Sequence, residues 1–219
     1  YLHAADATPA GRPWGFRCAI APWTAAGLLS SLIALLQYGG HAAQWMPWIN
    51  WASPGEAFAN LRQRNQFASL TSIALAAALA WRLAWPAGGG WWRLPAMSSA
   101  VALLALGNAA SSSRTGLVQL LLTAALALLW RARRTAPWIA AALACYALGL
   151  VLLPWAAGLD PATHGMFARL KTGDVRCASR LTLWSNVLTL IGQAPWRGWG
   201  WGELDYAHFM TLYDGPRFC

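Results

Sequence analysis

The chain has 219 residues, 58% of them apolar and only 11% charged, well under the roughly 25% charged residues of soluble domains. With 16 Trp and apolar runs of nearly 20 residues at regular intervals, this composition weighs against a soluble Ala/Leu-rich bundle and for membrane-spanning helices. A net charge of +9 on a soluble protein would raise nucleic-acid binding, but here the basic residues stand between apolar runs, no nucleic-acid-binding motif is present, and the charge speaks to topology.

Five apolar runs follow in order: 19–38, 67–85 with Arg82 near its end, 94–110 with Asn108 inside it, 115–130 and 137–155. Each is long enough, or nearly so, to cross about 30 Å of hydrocarbon as a helix. Lipid leaves backbone groups no water to bond, so spans are helices or closed barrels, and continuous rather than alternating apolar runs point away from a barrel. The expected fold is all-α: a polytopic integral membrane protein of about five transmembrane helices over residues 1–155, followed by an extracytoplasmic segment over 156–219 that contains an amphipathic helix. The chain starts at Tyr1 and stops at Cys219 in a polar stretch, which reads as a piece of a longer membrane protein.

Charge placement orients the runs. Arg12 and Arg17 precede the first, Arg82 and Arg93 flank the second loop, and Arg131, Arg133 and Arg134 fill the fourth. If the runs alternate across the bilayer, all of these lie on one side, which the positive-inside rule makes cytoplasmic. The opposite side receives 39–66, the short junction Ser111–Arg114 and everything after Trp155. Trp45, Trp48, Trp51, Trp130, Trp138 and Trp155 fall at the expected boundaries, where an indole suits both phases.

The 156–219 segment is mixed in composition and holds most of the acidic residues. Leu181, Trp184, Val187, Leu188 and Ile191 recur at helical spacing with Thr182, Ser185, Asn186 and Thr189 opposite, which predicts an amphipathic helix lying on the membrane or on the bundle. Ala194-Pro195 ends it, and Gly198, Gly200 and Gly202 mark a turn-rich stretch.

The informative arginines are those on the wrong side for topology. Arg62 and Arg64 precede the second run, and Arg114 precedes the fourth. Both motifs open helices, where a cation opposes the helix dipole as well as the positive-inside bias. An anion at that face relieves both penalties, because free N–H groups and arginine forks together bind phosphate or pyrophosphate. The competing reading is interfacial arginines that snorkel, with Ser111–Ser113 as helix caps. Arg180 opens the amphipathic helix and offers a third cation near the same face, with Arg169, Lys171 and Arg176 close by in sequence.

Cys18 and Cys145 read as packing residues. Cys177 and Cys219 both fall in the extracytoplasmic segment, where an oxidising compartment allows them to pair as a disulfide. His3, His41, His164 and His208 are scattered without metal-ligand spacing, so no metal and no cofactor is expected. No Walker loop, dinucleotide loop or nucleophile elbow is present.

Four stretches carry a family resemblance: Gln63-Arg-Asn-Gln-Phe-Ala68, Ser112-Ser-Arg-Thr-Gly116, Ser179-Arg-Leu-Thr-Leu-Trp-Ser-Asn186 and Pro195-Trp-Arg-Gly-Trp-Gly-Trp-Gly-Glu203. Together, from about residue 60 onward, they resemble the bacterial protein O-oligosaccharyltransferases, or pilin glycosylation ligases, of the O-antigen ligase and O-antigen polymerase superfamily. The resemblance implies an inner-membrane enzyme that moves a glycan en bloc from undecaprenyl-pyrophosphate to a periplasmic acceptor. That acceptor is a Ser or Thr hydroxyl of a protein such as a pilin, a sugar of the lipid A core, or, for a polymerase, a growing glycan. It implies that Arg64, Arg114 and Arg180 hold the pyrophosphate with Asn65 as hydrogen-bonding neighbour, without a metal. It also implies a periplasmic His followed by Asn as general base. No His-Asn pair occurs here, since His208 is followed by Phe209. The base is therefore expected beyond Cys219, and residues 1–219 alone are expected to bind donor without transferring it. A transporter of lipid-linked sugars is the non-enzymatic alternative; it predicts charges inside the spans, whereas here they cluster at the ends.

Overall fold

The computed structural model describes residues 14–83, 90–129, 133–171, 179–211 and 213. The chain divides into two compact units, 1–171 and 172–219. Among the described residues there are helices and turns but no strand, and this is a helical membrane protein.

The first unit holds α1 (Trp14–Tyr38), α2 (Arg64–Leu83), α3 (Arg93–Ala110), α4 (Arg114–Leu129), α5 (Ala136–Ala156) and the short α6 (Gly165–Lys171). By length and apolarity, α1 from Cys18, α2 and α5 can each cross a membrane, and α4 is a shorter apolar helix. At 18 residues α3 has the length, but Arg93 and Asn108 dilute its apolarity. Helix ends follow local chemistry. Gly40 takes a left-handed φ of 78° just after α1, and Pro137 stands in the first turn of α5, where its missing N–H costs nothing.

α3 is the hub, packing on α1, α2, α4 and α5. The joints are made by small residues, as expected where lipid on every side removes the hydrophobic drive and close approach supplies the attraction. A β-carbon on Gly27 of α1 would collide with Ala74 of α2, and one on Gly107 of α3 with Ser31 of α1. One on Gly149 of α5 would stand 2.9 Å from Ala109 Cβ of α3. Gly27 also meets Leu104, so with Ser31 on Gly107 α1 and α3 run the same way, and Asn65 on Ser113 with Ser69 on Gln119 makes α2 and α4 run together. Replacing Gly107 by Val is expected to destabilise the bundle by about 1–3 kcal/mol, the usual cost of overpacking. Thermal unfolding in detergent measures it, and an unchanged midpoint would mean that α1 and α3 do not need this approach.

Residues 39–63 form a strap across one end of the bundle. It is tied down by Gln37, wholly buried in the last turn of α1. The Gln37 amide donates to the Asn50 and Ala59 carbonyls, both at 2.9 Å, and its Oε1 accepts from the Phe58 N–H at 3.1 Å. Asn60 repeats the device, accepting from the Asn50 N–H and donating to the Trp48 carbonyl. Beneath the strap, Ala34, Tyr38, Ala57, Ala59, Phe67 and Ala110 form a small buried cluster.

The second unit contains α7 (Ser179–Gln193) and α8 (Leu204–Met210). The Trp199 indole donates to the Leu190 carbonyl at 2.9 Å. The amphipathic helix is present, with one correction to its polarity. Asn186, assigned to the polar face, is buried, while Trp184, Leu188 and Ile191 are exposed. Leu190, one turn after Asn186, is buried with it, so the helix packs through a mixed side. Trp196, Trp201 and Phe209 are exposed as well. Cys177 and Cys219 lie outside the described residues, as do Arg12, Trp130, Arg131 and Arg176.

Candidate functional site

The first turns of α2 and α4 meet at the strap end of the bundle. The Ser113 hydroxyl joins them. It accepts from the Gly116 N–H at 3.3 Å, capping α4, and donates to Asn65 Oδ1 of α2 at 2.7 Å. Ser113 is held in turn: its N–H reaches Ser111 Oγ at 3.2 Å, and that hydroxyl donates to the Asn108 carbonyl at 2.6 Å. All three serines of the turn are buried, and Ser112 has a left-handed φ of 48°.

Two sequence pairs, Arg64-Asn65 and Ser113-Arg114, are therefore neighbours in space although about 50 residues apart in the chain. Arg62 and Arg114 are exposed, and the Arg64 side chain retains 28% of its exposure. Neither α2 nor α4 has an acidic residue in its first turn, so the partial positive charge of both helix ends is left for another anion. Glu56 on the strap supplies one, with Oε1 3.0 Å from Arg64 Nη2. Glu56 is the one acidic residue between 39 and 66, but only the path of the strap brings it to Arg64. Monodentate contact leaves other donors of the guanidinium fork unused by Glu56.

Two layers support the site. Ser69, one turn below Asn65, accepts from Gln119 Nε2 of α4 at 2.9 Å, so α2 and α4 are linked twice on one side. A β-carbon on Gly116 would collide with Asn108 Oδ1 and come within 2.9 Å of Ala68 Cβ. Only glycine lets the capped end of α4 sit this close to α2 and α3. His164, before α6, packs against Gly55 of the strap, and its Nδ1 lies 2.8 Å from Thr163 Oγ1.

Of the residues expected at the site, Arg64, Asn65 and Arg114 share this end of the first unit. Arg180 is the second residue of α7, in the second unit. His208 lies in α8, its Nδ1 2.9 Å from Tyr213 Oη. Among the described residues no group of three or more His, Cys, Asp or Glu is placed to hold a metal ion.

A helical membrane protein with cationic helix starts gathered at one end is the class that fold and site define. The O-antigen ligase family profile matches residues 99–217, more than half the chain, and the chain belongs to that family. A protein glycosylation ligase profile matches residues 57–83. The second contains Arg64 and Asn65 and the first Ser113 and Arg114, so both matches reach the α2–α4 junction; Arg180, in the second unit, lies within the first match as well. No curated protein and no solved structure matches the chain. The family makes this a glycan-transferring membrane ligase.

Proposed function

We propose that the protein transfers an oligosaccharide en bloc from undecaprenyl-pyrophosphate to a periplasmic acceptor hydroxyl, a protein Ser or Thr such as that of a pilin. On this reading the enzyme lies in the bacterial inner membrane with α1–α5 all crossing it and the strap end facing the periplasm. Arg64, Asn65 and Arg114 hold the pyrophosphate, with Arg180 as a further cation toward it. The observation that carries the reading is the Asn65–Ser113 hydrogen bond, which gathers two helix N-termini and two arginines at one point.

The chemistry follows from the charge. The acceptor oxygen bonds to the anomeric carbon of the glycan while the bond from that carbon to the pyrophosphate oxygen breaks. The hydroxyl proton passes to a general base, and undecaprenyl-pyrophosphate leaves with the electron pair. Fixed cations aimed at the leaving oxygen stabilise the charge that develops there, without a metal. The protein glycosylation ligase match at 57–83 favours a protein acceptor over the lipid A core.

The test replaces Arg64, Arg114 and Arg180 singly by Ala in the full-length protein and reads glycosylation of a periplasmic acceptor by gel shift at matched expression. Transfer is expected to fall in each. Unchanged transfer in all three removes the pyrophosphate assignment.

A further inference from the structure

Glycan transfer leaves the site facing a stronger anion than it received. In the donor the pyrophosphate is esterified at both ends, to the polyprenol and to the glycan. When the bond to the anomeric carbon breaks, the outer phosphate keeps the electron pair and gains a further negative charge. Cations that stabilise this charge as it develops also hold the product more tightly than the donor, and product release often sets turnover. The strap end is rich in such cations. Arg62, Arg64 and Arg114 stand there with two helix N-termini whose first turns hold no acidic residue. We infer that Glu56 is the resident counter-ion of this site. It occupies one arm of Arg64, limits how tightly the other arms hold a pyrophosphate, and so lets undecaprenyl-pyrophosphate leave. This rests on the pyrophosphate reading above and adds to it how the site is emptied.

Three observations carry the inference. The contact is one-armed, Glu56 Oε1 to Arg64 Nη2 at 3.0 Å, so the guanidinium fork is shared rather than closed. The carboxylate is also built in. The Gly55 N–H donates to the Tyr38 carbonyl and the Glu56 N–H to the Ser53 carbonyl, both at 2.9 Å. Two residues on, the Phe58 N–H donates to Gln37 Oε1 at 3.1 Å. The backbone of Glu56 is thus tied to the end of α1 on both sides, while Asn65, next to Arg64, is tied to Ser113. The two halves of the pair are anchored separately, and the pair persists without help from a ligand. Finally, the side chains keep 28% and 44% of their exposure. An ion pair this open adds little to folding, so stability does not account for a carboxylate at this point. Its strength instead suits a group that moderates anion binding without abolishing it.

The experiment uses the full-length protein in proteoliposomes, with undecaprenyl-pyrophosphate added as product inhibitor of glycan transfer. Glu56→Gln keeps the size of the side chain and removes its charge. It is expected to lower the inhibition constant for undecaprenyl-pyrophosphate by about fivefold, and the donor KM by less, because the donor carries the smaller charge. A carboxylate that only aims Arg64 predicts the opposite sign, since its loss would weaken donor and product together. The same substitution in an Arg64→Ala background is expected to change the inhibition constant by less than about twofold, because no shared guanidinium is left. An inhibition constant that is unchanged or higher in Glu56→Gln overturns the counter-ion role. So does a fall that persists in full without Arg64, which would reflect the general field of the strap. If Arg64→Ala alone alters neither the inhibition constant nor the donor KM, the pyrophosphate reading fails separately.

Discussion

Arg64→Ala is expected to lower glycan transfer by about 10²–10³-fold, the usual cost of removing one preorganised donor from a developing anion. The residue sits at the start of α2, where a positive side chain opposes the helix dipole, and it is half-buried beside Glu56. Such a position is unfavourable unless an anion shares it. The loss should not come from unfolding, because an ion pair this exposed contributes only about 0–1 kcal/mol. Arg64→Lys should recover little, since a single ammonium cannot face Glu56 and a pyrophosphate at once as a planar fork can. The comparison is made at equal membrane abundance, with donor varied to separate KM from kcat. Transfer within twofold of the parent in Arg64→Ala would show that this arginine snorkels and does not bind.

Gln37→Met is the second large effect expected, and it acts on the fold. The side chain is wholly buried and makes three hydrogen bonds to strap backbone. Met fills similar space but answers none of them. Each orphaned group costs about 1–3 kcal/mol, so the strap should loosen by about 3 kcal/mol or more. Ala52, now 4% exposed, reports the change: a cysteine placed there should be slow to label with a membrane-impermeant maleimide in the parent and fast in the variant. Activity should fall with it, because Glu56 stands on the strap and Arg64 follows it directly. An unchanged labelling rate would mean that Asn60 and the apolar cluster hold the strap without Gln37.

Much of this was legible in the sequence, for reasons that differ by residue. Helical character was legible because lipid permits little else to an unbroken apolar run. The meeting of α2 with α4 was legible in outline, since Arg64 and Arg114 both open helices on one side and Ser113 is a natural cap. Glu56 as the partner of Arg64 was not. That contact depends on a strap turned by left-handed residues at Ala59 and Arg62, with φ of 51° and 57°, and alanine gives no warning of such a turn. Gln37 was hidden for another reason: a glutamine ending an apolar run reads as an ordinary interfacial residue until its three backbone partners are seen. On α7, helical spacing found the stripe, but Trp184, Leu188 and Ile191 on it are exposed while Asn186 is buried, because that helix packs through a mixed side that an apolar–polar division cannot describe.

The hub position of α3 bears on how the protein is made. From Val101 to Ala110 every residue of α3 is buried or half-buried, and this half carries Gly107 and Asn108, which suit neighbouring helices better than lipid. A segment whose partners are protein gains little by entering the bilayer alone. α3 is best inserted against an α1–α2 hairpin that already offers Ser31 to Gly107, and α4 docks best once Ala68 and Asn108 are both in place to receive Gly116. Biogenesis of the site is thus ordered along the chain. A defect in the first hairpin should surface as mis-insertion of the third and fourth helices, well before any donor is met.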